Sequence, residues 1–290
     1  MRLYGVETED RRYFMIAAAV HAFLRAYGRF GYHPGKHRVF AKLYRFAEPV
    51  WTAKRIVKRR GCLFECDLNE YDQRELYYMG REPYQTSYLS KFFRRGWTAF
   101  DVGANCGWYS ILMAKWVGEA GCVHAFEPST RSLPCLRRNL HLNPGVRVII
   151  HALALGEKQA SCGIEAPVLG NYGQDHVSAG STVQMITFDS FVQENAVACV
   201  DFIKVDIEGY ELRFLSGAEE TLQKFHPPMQ IEINPAALAN YGSSEVELEQ
   251  RVHGLRYDLF DFCWGGIRAY QRPSGTNWYR TVLALPRAKE

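Results

Sequence analysis

Three short segments concentrate the residues able to do chemistry. In the first, Phe100-Asp-Val-Gly-Ala-Asn-Cys-Gly-Trp-Tyr-Ser110, an apolar run meets a glycine-containing turn and then a helix-compatible stretch. Glycine tolerates positive φ and lets a ligand approach the backbone. A helix start offers free N–H groups and the positive end of a dipole to a carboxylate or phosphate. The spacing is Gly103-x-x-x-Gly107, with Asp101 two residues before the first glycine. A dinucleotide fingerprint carries a middle glycine that admits a pyrophosphate, and that glycine is missing. An acid at the strand end also repels a pyrophosphate, whereas it can accept hydrogen bonds from an ammonium group. The combination favours an amino-acid-bearing nucleoside over NAD.

The second segment, Val123-His-Ala-Phe-Glu-Pro128, puts Glu127 at the end of the next apolar run, 20 residues after Gly107. An acid there accepts hydrogen bonds from ribose hydroxyls in nucleotide-binding βαβ units. The third segment is Asp201-Phe-Ile-Lys-Val-Asp-Ile-Glu-Gly209. Strand alternation sets Lys204, Asp206 and Glu208 on one face, and three charges side by side are costly unless they pair or work. They form a structural ion pair, or Asp206 or Glu208 takes a proton from a substrate hydroxyl with Lys204 tuning that base. A third option is that the carboxylates hold a divalent cation. Further on, Glu232 and Asn234 in Gln230-Ile-Glu-Ile-Asn-Pro235 either meet substrate at the same rim or cap the following turn.

Positioning these groups takes strands that alternate with helices. Apolar runs at 98–102, 121–126, 146–152, 202–207 and 229–233 are separated by helical stretches at 109–117, 132–142 and 212–225. Such alternation predicts βαβ units and a mostly parallel sheet covered on both faces. Two later runs, 257–263 and 279–285, suit an antiparallel hairpin, and 84–93 suits a helix. The Gly-rich, polar stretch 156–190 predicts a loop or small hairpin inserted between the third and fourth strands. Residues 1–78 read as a basic extension of helices and loops, and 79–290 as the α/β domain.

Composition sets the outer bounds. A hydrophobic content of 47% supports a real core. The net charge of +4 conceals an asymmetry: residues 1–60 hold 14 Lys/Arg against 4 Asp/Glu. A basic arm is either a solvated helical face or a contact with something anionic, whether membrane surface, nucleic acid or acidic glycan. The eight cysteines are scattered, as in a protein with reduced thiols, and Cys62-x3-Cys66 has no second ligand pair for zinc. Arg11-Arg12 before the apolar Tyr13–Leu24 stretch faintly resembles a twin-arginine leader, but Glu7, Glu9 and Asp10 sit where positive charge is wanted. The stretch is also too short for a membrane span of about 20 residues. A cytoplasmic location, with membrane-peripheral contact as a variant, fits these features.

The series Asp101-Val-Gly-Ala-Asn-x-Gly107, Ala125-Phe-Glu-Pro128, Thr187-Phe-Asp189, Ile203-Lys-Val-Asp-Ile-Glu-Gly209, Gly217-Ala218 and Ile231-Glu-Ile233 resembles the FkbM family of methyltransferases, over roughly residues 80–235. Its most specific part is Lys-x-Asp-x-Glu-Gly, and Gly80-Arg-Glu-Pro83 looks like the family's short element before the first strand. The resemblance implies a Rossmann-like class I methyltransferase fold, α/β, with a seven-stranded, mostly parallel sheet. It implies S-adenosylmethionine (SAM) as methyl donor and O-methylation of a hydroxyl on a sugar, glycan or small metabolite. Carried over, Asp101, Gly103, Ala104, Asn105, Gly107, Glu127 and Pro128 line the cofactor site, and Lys204, Asp206 and Glu208 stand beside the transferring methyl. Two rival readings are a nucleic-acid methyltransferase or RNA-binding protein that uses the basic arm, and a noncatalytic SAM-binding scaffold.

Overall fold

The computed structural model describes residues 4–30, 35–48, 54–165, 174–275 and 278–288. The chain forms two compact units, Met1–Pro83 and Tyr84–Glu290.

The first unit contains helices α1 (Tyr4–Arg29) and α2 (Lys36–Ala47), strands β1 (Arg55–Arg59) and β2 (Cys62–Cys66), and helix α3 (Tyr71–Tyr78). Helix α1 buries the stripe Ala17, Leu24 and Gly28, spaced as one helical face requires. The basic residues supply helix ends as well as charge. Lys36 Nζ donates to the carbonyls of Gly28 and Phe30 at 3.1 and 2.5 Å, and Arg59 donates to those of Leu76 and Tyr77 at the end of α3. The β1–β2 hairpin corrects the sequence expectation of helices and loops alone. Arg60 and Gly61 both take positive φ, 47° and 80°, as a two-residue hairpin turn demands. Lys and Arg fill so much of β1 that Val57 is its one buried residue, and this hid the alternation.

In the second unit, helix α4 (Pro83–Phe92) leads into β3 (Thr98–Val102), α5 (Trp108–Val117), β4 (Cys122–Phe126), α6 (Leu133–His141) and β5 (Val148–His151). Next come β6 (Ala154–Leu155), β7 (Ala160–Glu165) and β8 (His176–Ile186), then α7 (Phe188–Glu194), β9 (Phe202–Val205), α8 (Glu211–Ser216) and α9 (Glu219–Phe225). The chain continues through β10 (Met229–Ile233), α10 (Pro235–Ala239), α11 (Glu245–Gly254), β11 (Tyr257–Cys263), β12 (Gly266–Ala269) and β13 (Arg280–Pro286). The main sheet has the order β12-β11-β13-β10-β9-β3-β4-β5. From β5 to β10 neighbouring strands are parallel, and β13 runs antiparallel between β10 and β11. This is the expected α/β architecture with one strand more than the seven anticipated. The turn at Trp264-Gly265, with Gly265 at φ 86°, folds Gly266–Ala269 back as an edge strand. The 156–190 stretch is a β7–β8 hairpin, bulged between Cys162 and Gly163, with β6 joining β8 in parallel.

Both sheet faces are covered. Phe100, Val102, Phe126, Ile203, Val205, Ile231 and Ile233 pack against Phe188, Phe191, Phe214, Leu215, Leu222, Leu248 and Val252 of α7, α8, α9 and α11. On the other face Ala125 meets Leu133 and Leu136 of α6. Each such fully buried side chain is worth about 1.5–3 kcal/mol. The helix expected over 212–225 is two helices: the Gly217 carbonyl accepts from the Asp189 N–H at 2.9 Å, and the Asp189 carboxylate accepts from the Glu220 and Thr221 N–H groups at 3.1 and 2.8 Å, starting α9 afresh.

Candidate active site

The site is organised by the strand register. Asp101 of β3 pairs with Lys204 of β9, which pairs with Gln230 of β10, so three polar side chains form a row across the sheet. All three are buried. Burial of this kind requires partners, and α5 supplies two: Ser110 Oγ donates to Asp101 Oδ2 at 2.5 Å, and Gln230 Nε2 donates to Tyr109 Oη at 3.0 Å. Lys204 Nζ lies 3.5 Å from Asp101 Oδ1, 3.2 Å from Asp206 Oδ2 and 3.2 Å from the Gly103 carbonyl oxygen. Burial pushes the Asp101 carboxyl up, and the Lys204 ammonium and Ser110 hydroxyl pull it back. Asp101 therefore faces Ser110 and Lys204 from a fully buried position. The lysine links this buried acid to the half-exposed Asp206 at the rim.

The loop between β3 and α5 owes its shape to backbone conformations that suit glycine. Gly103, Asn105 and Gly107 have φ of 83°, 47° and 86°. A Cβ on Gly103 would stand 1.9 Å from the Asp206 carbonyl oxygen, and one on Gly107 would stand 2.6 Å from Leu136 Cδ1. Ala104 is buried, its N–H donating to the Phe126 carbonyl at 3.0 Å, and Asn139 of α6 holds the Cys106 carbonyl at 2.8 Å. Glu127, at the end of β4, accepts from the Asn105 N–H at 2.7 Å and the Ser129 N–H at 2.8 Å. Burial pushes its carboxyl up to about 7 against the pull of those two hydrogen bonds. Pro128 follows it, half-buried. Ser129 and Arg131 both bind Asp175, which precedes β8, so the insertion is tied to this rim.

Strand β9 ends at Val205, which corrects the idea that alternation delivers Glu208 to the face of Lys204 and Asp206. Glu208 arrives instead through a turn, at φ 54°. That turn is fastened by Glu211, whose Oε1 accepts from the Ile207 and Gly209 N–H groups at 3.0 and 3.3 Å. Glu211 is buried, and this holds its carboxyl up at about 7. The result still brings the acids together: carboxylate oxygens of Asp206, Glu208 and Glu232 lie within 4.8 Å of one another, all half-exposed. Among the described residues, a divalent cation would find its ligands here. Asn234 caps α10, its Oδ1 accepting from the Ala237 N–H at 3.3 Å. Beyond that cap, continuing the β10–β13–β11 register sets Tyr279 and Trp264 along the same rim, both largely exposed.

Sequence reasoning missed Ser110, Tyr109, Gln230 and Glu211. Ser110 and Tyr109 were within reach, because they occupy the first turn of a helix that must pack over Asp101. Glu211 had the weaker cue of following Glu208-Gly209 by two residues.

The sequence matches the methyltransferase FkbM domain over residues 101–259. It is 31% identical over 126 residues to the hexuronic acid methyltransferase AglP of Haloferax volcanii, a match covering 43% of this chain and 51% of that protein. The chain thus spans about half the length of this relative. Among solved structures, a methyltransferase FkbM from Methylobacillus flagellatus aligns with a TM-score of 0.45 at 18% identity, covering 70% of this chain and 48% of that one. A SAM-dependent O-methyltransferase from Thermotoga maritima aligns at 0.42 and 13%, covering 86% and 83%. With more than half of its length matched, from Asp101 at the end of β3 to Leu259 in β11, this chain belongs to the FkbM family of SAM-dependent methyltransferases.

Proposed function

We propose that the enzyme transfers the SAM methyl group to a hydroxyl oxygen of a sugar, with Asp206 accepting the proton. The observation that carries this reading is the rim itself, where Asp206, Glu208 and Glu232 converge beside the glycine loop. The relative's name supplies the class of acceptor, since it acts on a hexuronic acid. Such a sugar offers hydroxyls and a carboxylate. Three protein carboxylates repel an anionic nucleophile but assist a neutral one, which favours the hydroxyl.

The donor fits the loop. Gly103 and Gly107, both at positive φ, set the tight path of the 103–107 loop, and the start of α5 beyond it presents its positive dipole end to the donor's methionyl carboxylate. Glu127 accepts from ribose hydroxyls, with Asp101, Ala104, Asn105 and Pro128 shaping the surround. When bound, SAM supplies a sulfonium-activated methyl, so the protein mainly has to align the two reactants. Lys204 holds Asp206 in place, Asp206 removes the hydroxyl proton as the new bond forms, Glu208 is the second base in reach, and Glu232 orients the acceptor.

The test uses SAM labelled in its methyl group and acceptors bearing glucuronate or neutral hexose. Label in an alkali-stable ether is expected. Label released by mild alkali would mean methyl esterification of a carboxylate and would overturn the hydroxyl assignment.

Glu127 also gives the donor site a pH signature. Its carboxylate is the better hydroxyl acceptor and forms above about pH 7. Affinity for S-adenosylhomocysteine should therefore weaken by about tenfold from pH 8 to pH 6, with Glu127→Gln flattening the profile. Stability of the free enzyme runs the other way. A folded pKa of about 7 against the carboxyl's ordinary 4.5 means that the folded state keeps an extra proton between those values. Stability thus falls as pH rises through that window, and Glu211 contributes with the same sign. Isothermal titration at about pH 6, 7 and 8 checks the first trend, and thermal melts at about pH 5, 6 and 7 check the second.

A further inference from the structure

Residues 11–47 contain eight Lys/Arg and no Asp or Glu. The same segment displays most of the molecule's misplaced apolar surface. Twelve large apolar side chains are exposed among the described residues, and seven of them lie in this segment: Phe46 and, each half-exposed or more, Tyr13, Phe14, Met15, Ile16, Phe23 and Phe30. Isolated exposed apolar residues need no explanation, but a contiguous group marks an interaction site.

The geometry of α1 separates this surface from its packing. The helix seats on its own unit through Ala17, Leu24 and Gly28, with His21 Nδ1 2.6 Å from the Tyr78 hydroxyl. A Cβ on Gly28 would lie 1.8 Å from the Tyr78 carbonyl oxygen, so that contact is tight. Nothing between Arg11 and Ile16 is buried. Four consecutive large residues, Tyr13 to Ile16, step around the helix by about 100° each, so together they present apolar surface on most sides. Exposed arginines bracket them, Arg11 and Arg12 before and Arg29 after, and Arg38, Lys42 and Arg45 are exposed on α2.

We propose that α1, with its basic surround, docks this protein onto the surface of an anionic lipid bilayer. Cations interleaved with bulky apolar side chains match an interface where headgroup charge overlies hydrocarbon. A second copy docking through this same surface would bring the same positive charge and be repelled. Nucleic acid would use the arginines and aromatic rings but gives Met15 and Ile16 nothing to bury against. The apolar stretch Tyr13–Leu24 is about 18 Å long as a helix, too short to cross a bilayer core of about 30 Å. No helix among the described residues is long and apolar enough to cross a membrane. The helix therefore lies in the interface.

The experiment is co-sedimentation of the full chain with phosphatidylcholine vesicles, with and without about 30 mol% phosphatidylglycerol. The expected result is at least about tenfold stronger binding to the anionic vesicles, reduced by high salt. A Phe14→Ser, Met15→Ser, Ile16→Ser variant, altered only at exposed positions, should lose about tenfold or more of that binding. Its melting temperature and S-adenosylhomocysteine affinity should be unchanged. Wild-type protein left in the supernatant, or a variant that sediments as well as wild type, would overturn the proposal. Salt-sensitive binding to a single-stranded RNA that the variant retains, with no vesicle binding, would assign the surface to nucleic acid instead.

Discussion

Asp206→Asn is expected to lower kcat by about 10²–10⁴-fold, the usual worth of a positioned general base, while S-adenosylhomocysteine binding stays within about twofold. The substitution keeps the side chain's shape. Its amide oxygen can still accept from Lys204, which lies 3.2 Å from the native carboxylate. What it removes is the ability to take a proton. Lys204→Met should behave differently. It strips the buried Asp101 of its counter-charge, and breaking a buried pair from one side costs about 3–5 kcal/mol, so this variant should lose melting temperature as well as activity. Full turnover by a folded Asp206→Asn enzyme would sink the base assignment. A chelator arm separates the remaining chemistry. Wild-type activity that survives EDTA leaves the proton with a carboxylate. Activity abolished by EDTA and restored by magnesium would assign Asp206, Glu208 and Glu232 to a cation that acidifies the hydroxyl.

Much of this site was legible because it is built from local signals. The strands Thr98–Val102, Met229–Ile233 and Tyr257–Cys263 have the residue bounds that their apolar runs predict. The glycine loop declares itself in sequence, since positive φ and close backbone approach exclude most other residues at Gly103 and Gly107. What was not legible depends on register between distant strands. That Lys204 reaches Asp101 follows from β3 lying beside β9, 101 residues apart in sequence for the Lys204–Gly103 hydrogen bond. The place of Glu208 was misread because periodicity was carried past a strand end set by the Glu211 side chain. In the N-terminal unit, arginines doing structural work at helix ends imitate a purely solvated charge run.

The register also predicts the most damaging small change. In Gly103→Ala the added methyl would fall 1.9 Å from the carbonyl oxygen of Asp206, on a residue whose φ is 83°. Alanine at a left-handed position costs about 1–2 kcal/mol by itself. The clash adds to this, because a backbone carbonyl cannot rotate away as a flexible side chain can. The neighbouring bond from the Asp206 N–H to the Val102 carbonyl, 3.1 Å, pins the two strand ends together. Relief therefore requires the 103–107 loop and the segment bearing Asp206 to part. A total penalty of about 3 kcal/mol should lower the melting temperature by about 6–12 °C at the usual 2–4 °C per kcal/mol for a domain of this size. S-adenosylhomocysteine affinity should drop by about a hundredfold or more. Gly145→Ala is the matched control, since nothing lies within 4 Å of the Cβ it would add, and it should leave both properties unchanged. A Gly103→Ala enzyme that binds S-adenosylhomocysteine within about threefold of wild type would show that the loop tolerates separation from Asp206. The site would then be two independent halves, and Lys204, which touches both the Gly103 carbonyl and the Asp206 carboxylate, would be a structural brace and not the element coupling donor binding to proton removal.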